Sequence, residues 1–590
     1  MTRWIADLES DGLLDTITKV HCIVLRHVET DEVQTYGPDE IKAALFTLMN
    51  AEEVIGHNFI AYDLPALQKV YPKFKLLGKL TDTLVLSRLC AANIADKDAV
   101  RIIKKPDTFP RRLTGSHSLK AWGLRLGDFK DDYSGGWENY SQEMMDYCVQ
   151  DTQVTKVLYE YLMSRGFSDQ SIELEHSLAN ICLQIGNNGW TFDKTKAINL
   201  YSELAQKRQE LEDGLDALFP PWEVTEEFMP KVNNKTRGYV KGEPFTKRKQ
   251  VEFNPSSRRH IEFCLRQKYG WKPKKFTDNG HAQIDETVLS KLPYPEARHL
   301  AEFFLIQKRV GQLAEGPQAW LKKVDDDGKI RHTIVSGGTV SGRAAHRGPN
   351  LAQLPKTKLL YGKQCRELFT VPDGWWLCGS DLSGLELRCL AHYLPDGGEY
   401  ARKMLEGDIH TVNQKAAGLT TRDQAKTFIY SLMYGGGDLL IGKVAGGGAK
   451  RGKELKKAFN QNIPAFGELQ ARLKSAFDKR GHIKGLDGRK LFIRSEHKLL
   501  SQLLQSCGAI ICKKWVELAY HEINRQHGTN NAYIVGWIHD EIQVACRTEE
   551  IAENVGHISR RMAKETGAIF KTKIPIDADY SLARTWADSH

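Results

Sequence analysis

No two cysteines stand in a CxxC spacing, and the eleven present, an odd number scattered from Cys22 to Cys546, read as reduced and mostly buried thiols. Neither structural zinc nor a disulfide framework is expected. No apolar run approaches the roughly 18 residues that cross a bilayer, so no membrane partner is expected. An acid at Asp7 comes too early for the apolar core of a secretion signal, which points to a cytoplasmic protein. Internal repeats and low-complexity tails are missing. So is a dominant charge: 83 basic against 74 acidic residues give +9, which permits a polyanionic partner without requiring one. What remains is globular, with 41% hydrophobic and 27% charged residues and a mean hydropathy of -0.44 over 590 residues. That length suggests roughly four domains at about 150 residues each.

The first stretch alternates short apolar runs (Val20 to Arg26, Val54 to Ile60) with the amphipathic Gln142 to Arg165, as α/β units do. A charged, leucine-spaced region from Ser171 to Phe219 predicts an extended helix pair, stopped by Pro220-Pro221. Between Lys231 and Gln250 seven basic residues face one acid, Glu243, and Gly238, Gly242 and Pro244 break any periodicity. A flexible basic loop touching nucleic-acid backbone and a solvated surface loop fit that stretch equally well. Helical patterns resume from Pro255 to Lys323. Glycine-rich turns follow around Val335 to Pro349, then a strand at Trp375 to Ser380 and helices at Ser383 to Leu394 and Arg422 to Tyr434.

In Trp4-Ile5-Ala6-Asp7-Leu8-Glu9 the strand period of two puts Asp7 and Glu9 on one face and lets Trp4, Ala6 and Leu8 bury the other. Neighbouring carboxylates repel unless a cation neutralises them, and hard oxygens suit Mg²⁺. A third acid, Asp63, follows an apolar strand, and a fourth, Asp151, stands four residues after Tyr147 on one helical face. This set resembles the DEDD 3′–5′ exonucleases of the tyrosine subtype. The resemblance implies that Asp7, Glu9, Asp63 and Asp151 hold two metal ions about 4 Å apart while Tyr147 orients the attacking water.

Gly536 to Val544 reads as two apolar strands that lift Asp540 and Glu541 to a hairpin tip. Upstream, an apolar strand runs into Asp381 just before a helix opens, where Ser383 and Glu386 have capping-box spacing. Arg422, Lys426 and Tyr430 follow at steps of four, two cations and then an aromatic on one stripe, an order that suits a triphosphate followed by sugar and base.

These three elements resemble motifs A, B and C of family A DNA polymerases. The likeness tightens to the replicative polymerases of T-seven-like bacteriophages through LSGLELRCLAH from Leu382, GDIHT from Gly407, AKTFIY from Ala425, KGLDGRK from Lys484 and WIHDEIQV from Trp537. The implied fold is a multidomain α/β and α+β protein, an RNase H-like 3′–5′ exonuclease followed by a right-hand polymerase. The implied boundaries are 1–168 for the exonuclease and 169–319 for the thumb, with a short basic loop at 220–251. The palm takes 320–395 and 496–590, with the fingers at 396–495 between them, and no 5′-nuclease domain is expected ahead of the exonuclease. By the same resemblance Asp381, the Leu382 carbonyl and Asp540 hold two Mg²⁺ ions, with Mn²⁺ able to substitute, and the exonuclease holds two more. Arg422, Lys426 and His410 contact the triphosphate, Lys426 protonates the leaving pyrophosphate, and Glu386 with Tyr430 screens the sugar. Arg343, Gln505, His539, Tyr434 and Glu541 belong to the primer-template side.

The implied partners are primer-template DNA, deoxynucleoside triphosphates, and a phage helicase-primase and single-strand-binding protein in the infected bacterial host. In the phage relatives a long thumb insertion recruits thioredoxin. The corresponding stretch from Pro220 to Val251 is much shorter here, which argues against thioredoxin and leaves Lys247, Arg248 and Lys249 to touch duplex phosphates directly. A single-subunit RNA polymerase would share the palm logic, but Glu386 and the complete exonuclease set argue against it. Because every required acid is present, a non-catalytic binding factor on the same fold is also disfavoured.

Overall fold

The computed structural model describes residues 2–106, 108–128, 133–277 and 279–589. The chain separates into two compact units, one of residues 1–190, 331–354 and 370–590, the other of residues 191–330 and 355–369.

The first unit opens with a mixed five-stranded sheet of order β3-β2-β1-β4-β5, with β1 Arg3–Ser10, β2 Val20–His27, β3 Val33–Tyr36, β4 Glu53–Gly56 and β5 Lys79–Asp82. β1 runs antiparallel to β2 and parallel to β4. Its even-numbered residues Trp4, Ala6 and Leu8 enter an apolar cluster with Leu45, Leu48 and Leu67, and the period of two leaves Asp7 and Glu9 at the half-exposed positions. Four helices of this region carry site residues or pack beside them: α1 Asp63–Val70, α2 Thr83–Cys90, α3 Gln142–Met163 and α4 Asp169–Asn188.

The second unit is largely helical. Its long helices are α5 Lys194–Leu218 and α6 Pro295–Val310. The helix pair expected from Ser171 to Phe219 is present as α4 and α5, but the two fall in different units, and the second unit begins at residue 191 rather than at 169. The reason lies in α4. Leu174, Leu178, Ile181, Cys182 and Ile185 are buried in the main core of the first unit, and a helix follows its apolar stripe.

The flexible loop expected at 220–251 is instead a two-stranded antiparallel hairpin, β6 Trp222–Phe228 with β7 Phe245–Val251. β-branched and aromatic residues make the pairing: Phe228, Tyr239 and Phe245 form an aromatic chain at its closed end, with ring centroids 5.4 and 4.8 Å apart. Gly238 and Gly242 supply positive φ in the connection between the strands.

The remainder of the first unit is built on a four-stranded antiparallel sheet of order β11-β12-β10-β13 and a small hairpin, β8 Thr333–Val335 with β9 Ala345–Arg347. The strands of the larger sheet are β10 Trp376–Leu382, β11 Ala532–Ile538, β12 Glu541–Cys546 and β13 Ala578–Ala583. The long helix α10 Leu499–His527 is fastened to α11 Glu549–Ile569 by Trp515 Nε1, which donates to the Ser559 carbonyl at 2.9 Å. Between β10 and α10 lie α7 Leu385–Tyr393, α8 Ile409–Ala417 and α9 Arg422–Met433. Gly379 sits in β10 where a Cβ would collide with the Ser589 backbone carbonyl and crowd the Gln543 amide, so only glycine lets the C-terminal segment lie against the strand.

Candidate active site

β10 and β12 pair so that Asp381 lies opposite Glu541. β11 and β12 are joined by His539 and Asp540 alone, and the tight turn needs His539 at φ 58. The His539 carbonyl accepts from Trp537 Nε1 at 3.1 Å and from the Cys512 thiol at 3.0 Å, which pins the turn to α10. The Leu382 N–H donates to the Asp540 carbonyl at 3.0 Å, which ties the two acid-bearing segments together. Burial, then the charges of Asp540 and Asp381, push the Cys512 thiol up, so both carboxylates lie within electrostatic reach of one sulfur. Burial, and next the charge of Glu386, raise Asp540 above the usual carboxylate range. Residues more than 150 apart in sequence therefore form one acidic pocket, a cavity of about 190 Å³ lined by Arg343, Glu386, Lys513, His539 and Asp540.

Glu386 accepts from the Tyr434 hydroxyl at 2.8 Å and lies 3.7 Å from Arg343 Nη2. Its capping-box role does not form: Ser383 Oγ donates to Asp579 at 2.7 Å instead, and Gly384 caps α7. A left-handed glycine cap leaves Glu386 free to reach the pocket. Tyr430 lies near it, its phenol pushed up to about 12 by burial and by the charges of Glu386, Tyr434 and Asp540.

Arg422 begins α9 as expected, and its Nε and Nη2 grip Asp408 at 2.6 and 3.2 Å. Asp408 caps α8 through the His410 N–H, and Arg422 holds its carboxyl well below the usual range. His410 lies 6.4 Å from the Tyr430 ring, its imidazole lowered by burial and by the nearby Arg422 and Lys426 charges. Arg422, Lys426, His410 and Tyr430 thus share one wall. Gln505, half-buried on α10, stands one turn before the Gly508–Ala509 segment of the cavity.

Glu541, expected on the primer-template side, is held inside the sheet. It is buried in β12, where its carboxylate accepts from Trp586 Nε1 at 2.7 Å and Gln543 Nε2 at 2.5 Å, so it fastens strands rather than meeting a ligand. Nor are Lys247, Arg248 and Lys249 three equivalent loop cations. Lys247 lies 3.6 Å above the Phe228 ring, and Arg248 is 3.7 Å from Glu223 on the opposite strand.

In the N-terminal region Asp7, Glu9 and Cys148 present ligand atoms within 4.8 Å of one another, and the Cys148 thiol donates to Asp7 at 3.4 Å. Burial, then Asp7, hold Asp63 well above the usual carboxylate range. Burial and Cys22 also push the Cys148 thiol up, so it stays neutral beside oxygen donors that suit a hard divalent cation. Asp151 is buried one turn after Cys148 on α3, and the Tyr147 ring packs against Tyr133 and Trp137 with centroids 5.7 and 6.5 Å away.

Three contributors escaped the sequence reading. Asp82 receives the N–H groups of Asn58, Ile60, Leu84 and Val85 and so shapes the loop leading to Asp63; its signal was a lone acid ahead of a helical run. Lys513 is fully buried, and its signal was a Lys-Lys pair inside an apolar helix, where one of the two must face inward. Thr421 and Gln424 form a capping box that starts α9 at Arg422.

With these sites in view, the sequence profile of DNA polymerase family A matches residues 226–588. The chain belongs to DNA polymerase family A. The DNA-directed DNA polymerases of Enterobacteria phage T3 and Escherichia phage T7 are each 39% identical to it, over 99% of this chain and 100% of theirs. Those alignments run over 707 and 708 positions against 590 residues here, so the relatives carry stretches with no counterpart in this polymerase. DNA polymerase I of Aquifex aeolicus is 25% identical over 56% of the chain. Among solved structures, the POL domain of Pol1 from M. smegmatis in complex with DNA primer-template and dNTP superposes with a TM-score of 0.72, covering 97% of this chain and 93% of that one at 16% identity, which is a likeness of fold. No helix among the described residues is long and apolar enough to cross a membrane.

Proposed function

We propose that this family A polymerase copies a phage genome by extending a primer 3′ end with deoxynucleotides, and that it trims misincorporated ends at a separate N-terminal site. The observation that carries the reading is that Asp381, beside the Asp540 turn through the Leu382 N–H to Asp540 carbonyl bond, comes together with Asp540 and Glu386 from segments far apart in the chain, near the helix that carries Arg422, Lys426 and Tyr430.

Family A polymerases depend on a metal, and the donor sets fit one. Asp540 and Asp63 are each raised by burial and by a neighbouring carboxylate, a tension that a divalent cation relieves. Asp381, Asp540 and the Leu382 carbonyl would hold two Mg²⁺ in one site, and Asp7, Glu9, Asp63 and Asp151 two in the other, with Mn²⁺ an acceptable substitute. Bound there, the ions would supply Lewis-acid activation of the attacking oxygen and charge neutralisation at the leaving one.

The chain's own groups do the rest. Arg422 keeps its Nη1 unbound by Asp408, so it can meet a phosphate oxygen while staying oriented. Lys426, exposed one turn on, holds a proton for the departing pyrophosphate. Glu386, fixed by Tyr434, underlies the sugar and excludes a 2′-hydroxyl. Arg343, Gln505 and His539 face the primer terminus, and Tyr434, exposed at the end of α9, offers its ring to the templating base. At the trimming site Tyr147, held by two neighbouring rings, orients water. The 3-2-1-4-5 sheet order supports the RNase H-like reading of residues 1–168. The largely helical second unit supports a thumb, with the sheet around β10 as palm and 396–495 as fingers. Phage helicase-primase and single-strand-binding protein are the proposed partners, in the infected cell, without thioredoxin.

The test is a pair of variants. Asp540→Ala should lower extension by about a thousandfold and spare trimming, and Asp7→Ala with Glu9→Ala should do the opposite. Loss of both activities in either variant, with the fold intact, would overturn the two-site reading.

A further inference from the structure

A second cavity, about 300 Å³, lies between the N-terminal sheet region and the β8–β9 hairpin of the same compact unit, and neither proposed activity uses it. One wall carries Asn58 and Asp82, the other His332 and Arg347, and Arg88 and Arg331 project into the space.

Its electrostatics are one-sided. Burial, then the charge of Arg347, lower Arg88 from the usual arginine value, so the two guanidinium groups are close enough to repel. Among the described residues no acid pairs with either of them. The only carboxylate in the wall, Asp82, is occupied by its four backbone N–H groups. Arg331 is braced by the Asn187 carbonyl at 3.0 Å. His332 is 5% exposed, and neither of its ring nitrogens has a partner. The Asp82 charge offsets the Arg88–Arg347 repulsion only in part, and buried polar groups are satisfied as a rule, so an orphan imidazole facing a cavity where Arg88 and Arg347 lie close points to an anionic ligand that brings acceptors. Burial and the neighbouring His346 push His332 down to about 3, so it is a neutral donor at physiological pH.

The location narrows the ligand. On one side Asp82 lies close enough to raise Asp63, the buried acid of the trimming site. On the other, His332 stacks on His346 with centroids 5.9 Å apart, and His346 in turn feels the charge of His539 at the extension site. We propose that this cavity is a phosphate-binding site in which Arg88, Arg347 and His332 grip a backbone phosphate of a single DNA strand whose 3′ end lies at the trimming carboxylates. The strand as occupant rests on the trimming function proposed above. The phosphate chemistry does not, and a free phosphate is the other source of the same group.

The test uses full-length Arg88→Gln and Arg347→Gln variants, with Arg88→Lys as the charge-keeping control. Trimming of single-stranded oligothymidylate and calorimetric binding of orthophosphate are measured side by side, and extension of a matched primer-template serves as the check on folding. The expected result is a KM for single-strand trimming raised roughly tenfold in each Gln variant, the worth of one lost charge-assisted contact, with less change in Arg88→Lys and with extension intact. The salt dependence of single-strand binding should fall by about 0.7 in log–log slope for the phosphate released. Lost orthophosphate binding with unchanged trimming would keep the phosphate site and reject the strand. Unchanged KM together with unchanged orthophosphate binding would overturn the proposal. Failure of the trimming function itself reads differently, since it shows as degradation that survives Asp7→Ala with Glu9→Ala.

Discussion

At Tyr430 the proposed function predicts that one oxygen atom decides selectivity. The ring is half-buried and its phenol feels the charges of Glu386 and Asp540, so on the proposed function the hydroxyl would replace the polar contact that a missing sugar 3′-hydroxyl vacates. The polymerase should therefore accept dideoxynucleotides readily, and Tyr430→Phe should restore a strong preference for normal nucleotides in competition assays. An unchanged ratio would dispose of this role. Asp408 offers a second residue-scale check. Because it orients Arg422 through two hydrogen bonds, Asp408→Asn should raise the KM for nucleotides severalfold with little change in single-turnover chemistry, and an unaltered KM would show that Arg422 needs no such brace. At this scale much of the site was legible. Asp381, Asp540, Arg422 and Tyr430 declare themselves because strand and helix periods fix which side chains share a face. Glu541 was less legible: it adjoins Asp540 in sequence, but Asp540 lies in the turn whereas Glu541 opens β12 and is buried against Trp586.

Two elements behave otherwise than their sequences suggest. The hairpin of β6 and β7 sets Glu223, Glu226 and Glu227 across from Gln250, Lys247 and Thr246, acids that the basic run alone does not reveal because they enter the register only when the strands pair. Replacing Lys247, Arg248 and Lys249 by Gln should still lower processivity at matched salt, while Glu223→Gln, which releases Arg248, should raise it. Equal processivity in all variants would remove the hairpin from the DNA path. Helix α4 carries the other surprise. Glu175 on it accepts from Arg489 Nη1 at 2.7 Å and from the Lys513 ammonium, and Arg489 also binds Asp487 at 2.6 Å, all of them buried. Burial alone would raise Glu175, but Lys513 and Arg489 outweigh it and set the carboxyl at about 2. A depressed acid stabilises the fold fully above its unfolded value of about 4.5 and loses that contribution as pH falls toward 2. Glu175→Gln should cost about 3 to 5 kcal/mol at neutral pH by stranding the buried Lys513 ammonium, since Arg489 keeps Asp487, and its acid limb should be flatter than that of the unaltered chain in denaturant titrations. Such a network joins residues more than 300 positions apart, which no local pattern encodes.

At the scale of the whole molecule, the family A polymerase and its mixed α/β fold were readable because long motif strings are present. The limits of the compact units were not, since helix 169–188 follows its apolar face into the catalytic core rather than its neighbours in sequence. The hairpin at 222–251 carries a molecular-scale expectation: adding thioredoxin to primer-extension reactions should leave product length unchanged, and a lengthening would show that the hairpin recruits it. The buried quartet around Glu175 has one more consequence, for how such enzymes exchange parts. A recombination joint placed just before Asp169 keeps that helix with its ionic partners and swaps only the residues ahead of it, whereas a joint just after Asn188 imports a foreign helix opposite Arg489 and Lys513. Viable hybrids should cluster at the first seam and be rare at the second.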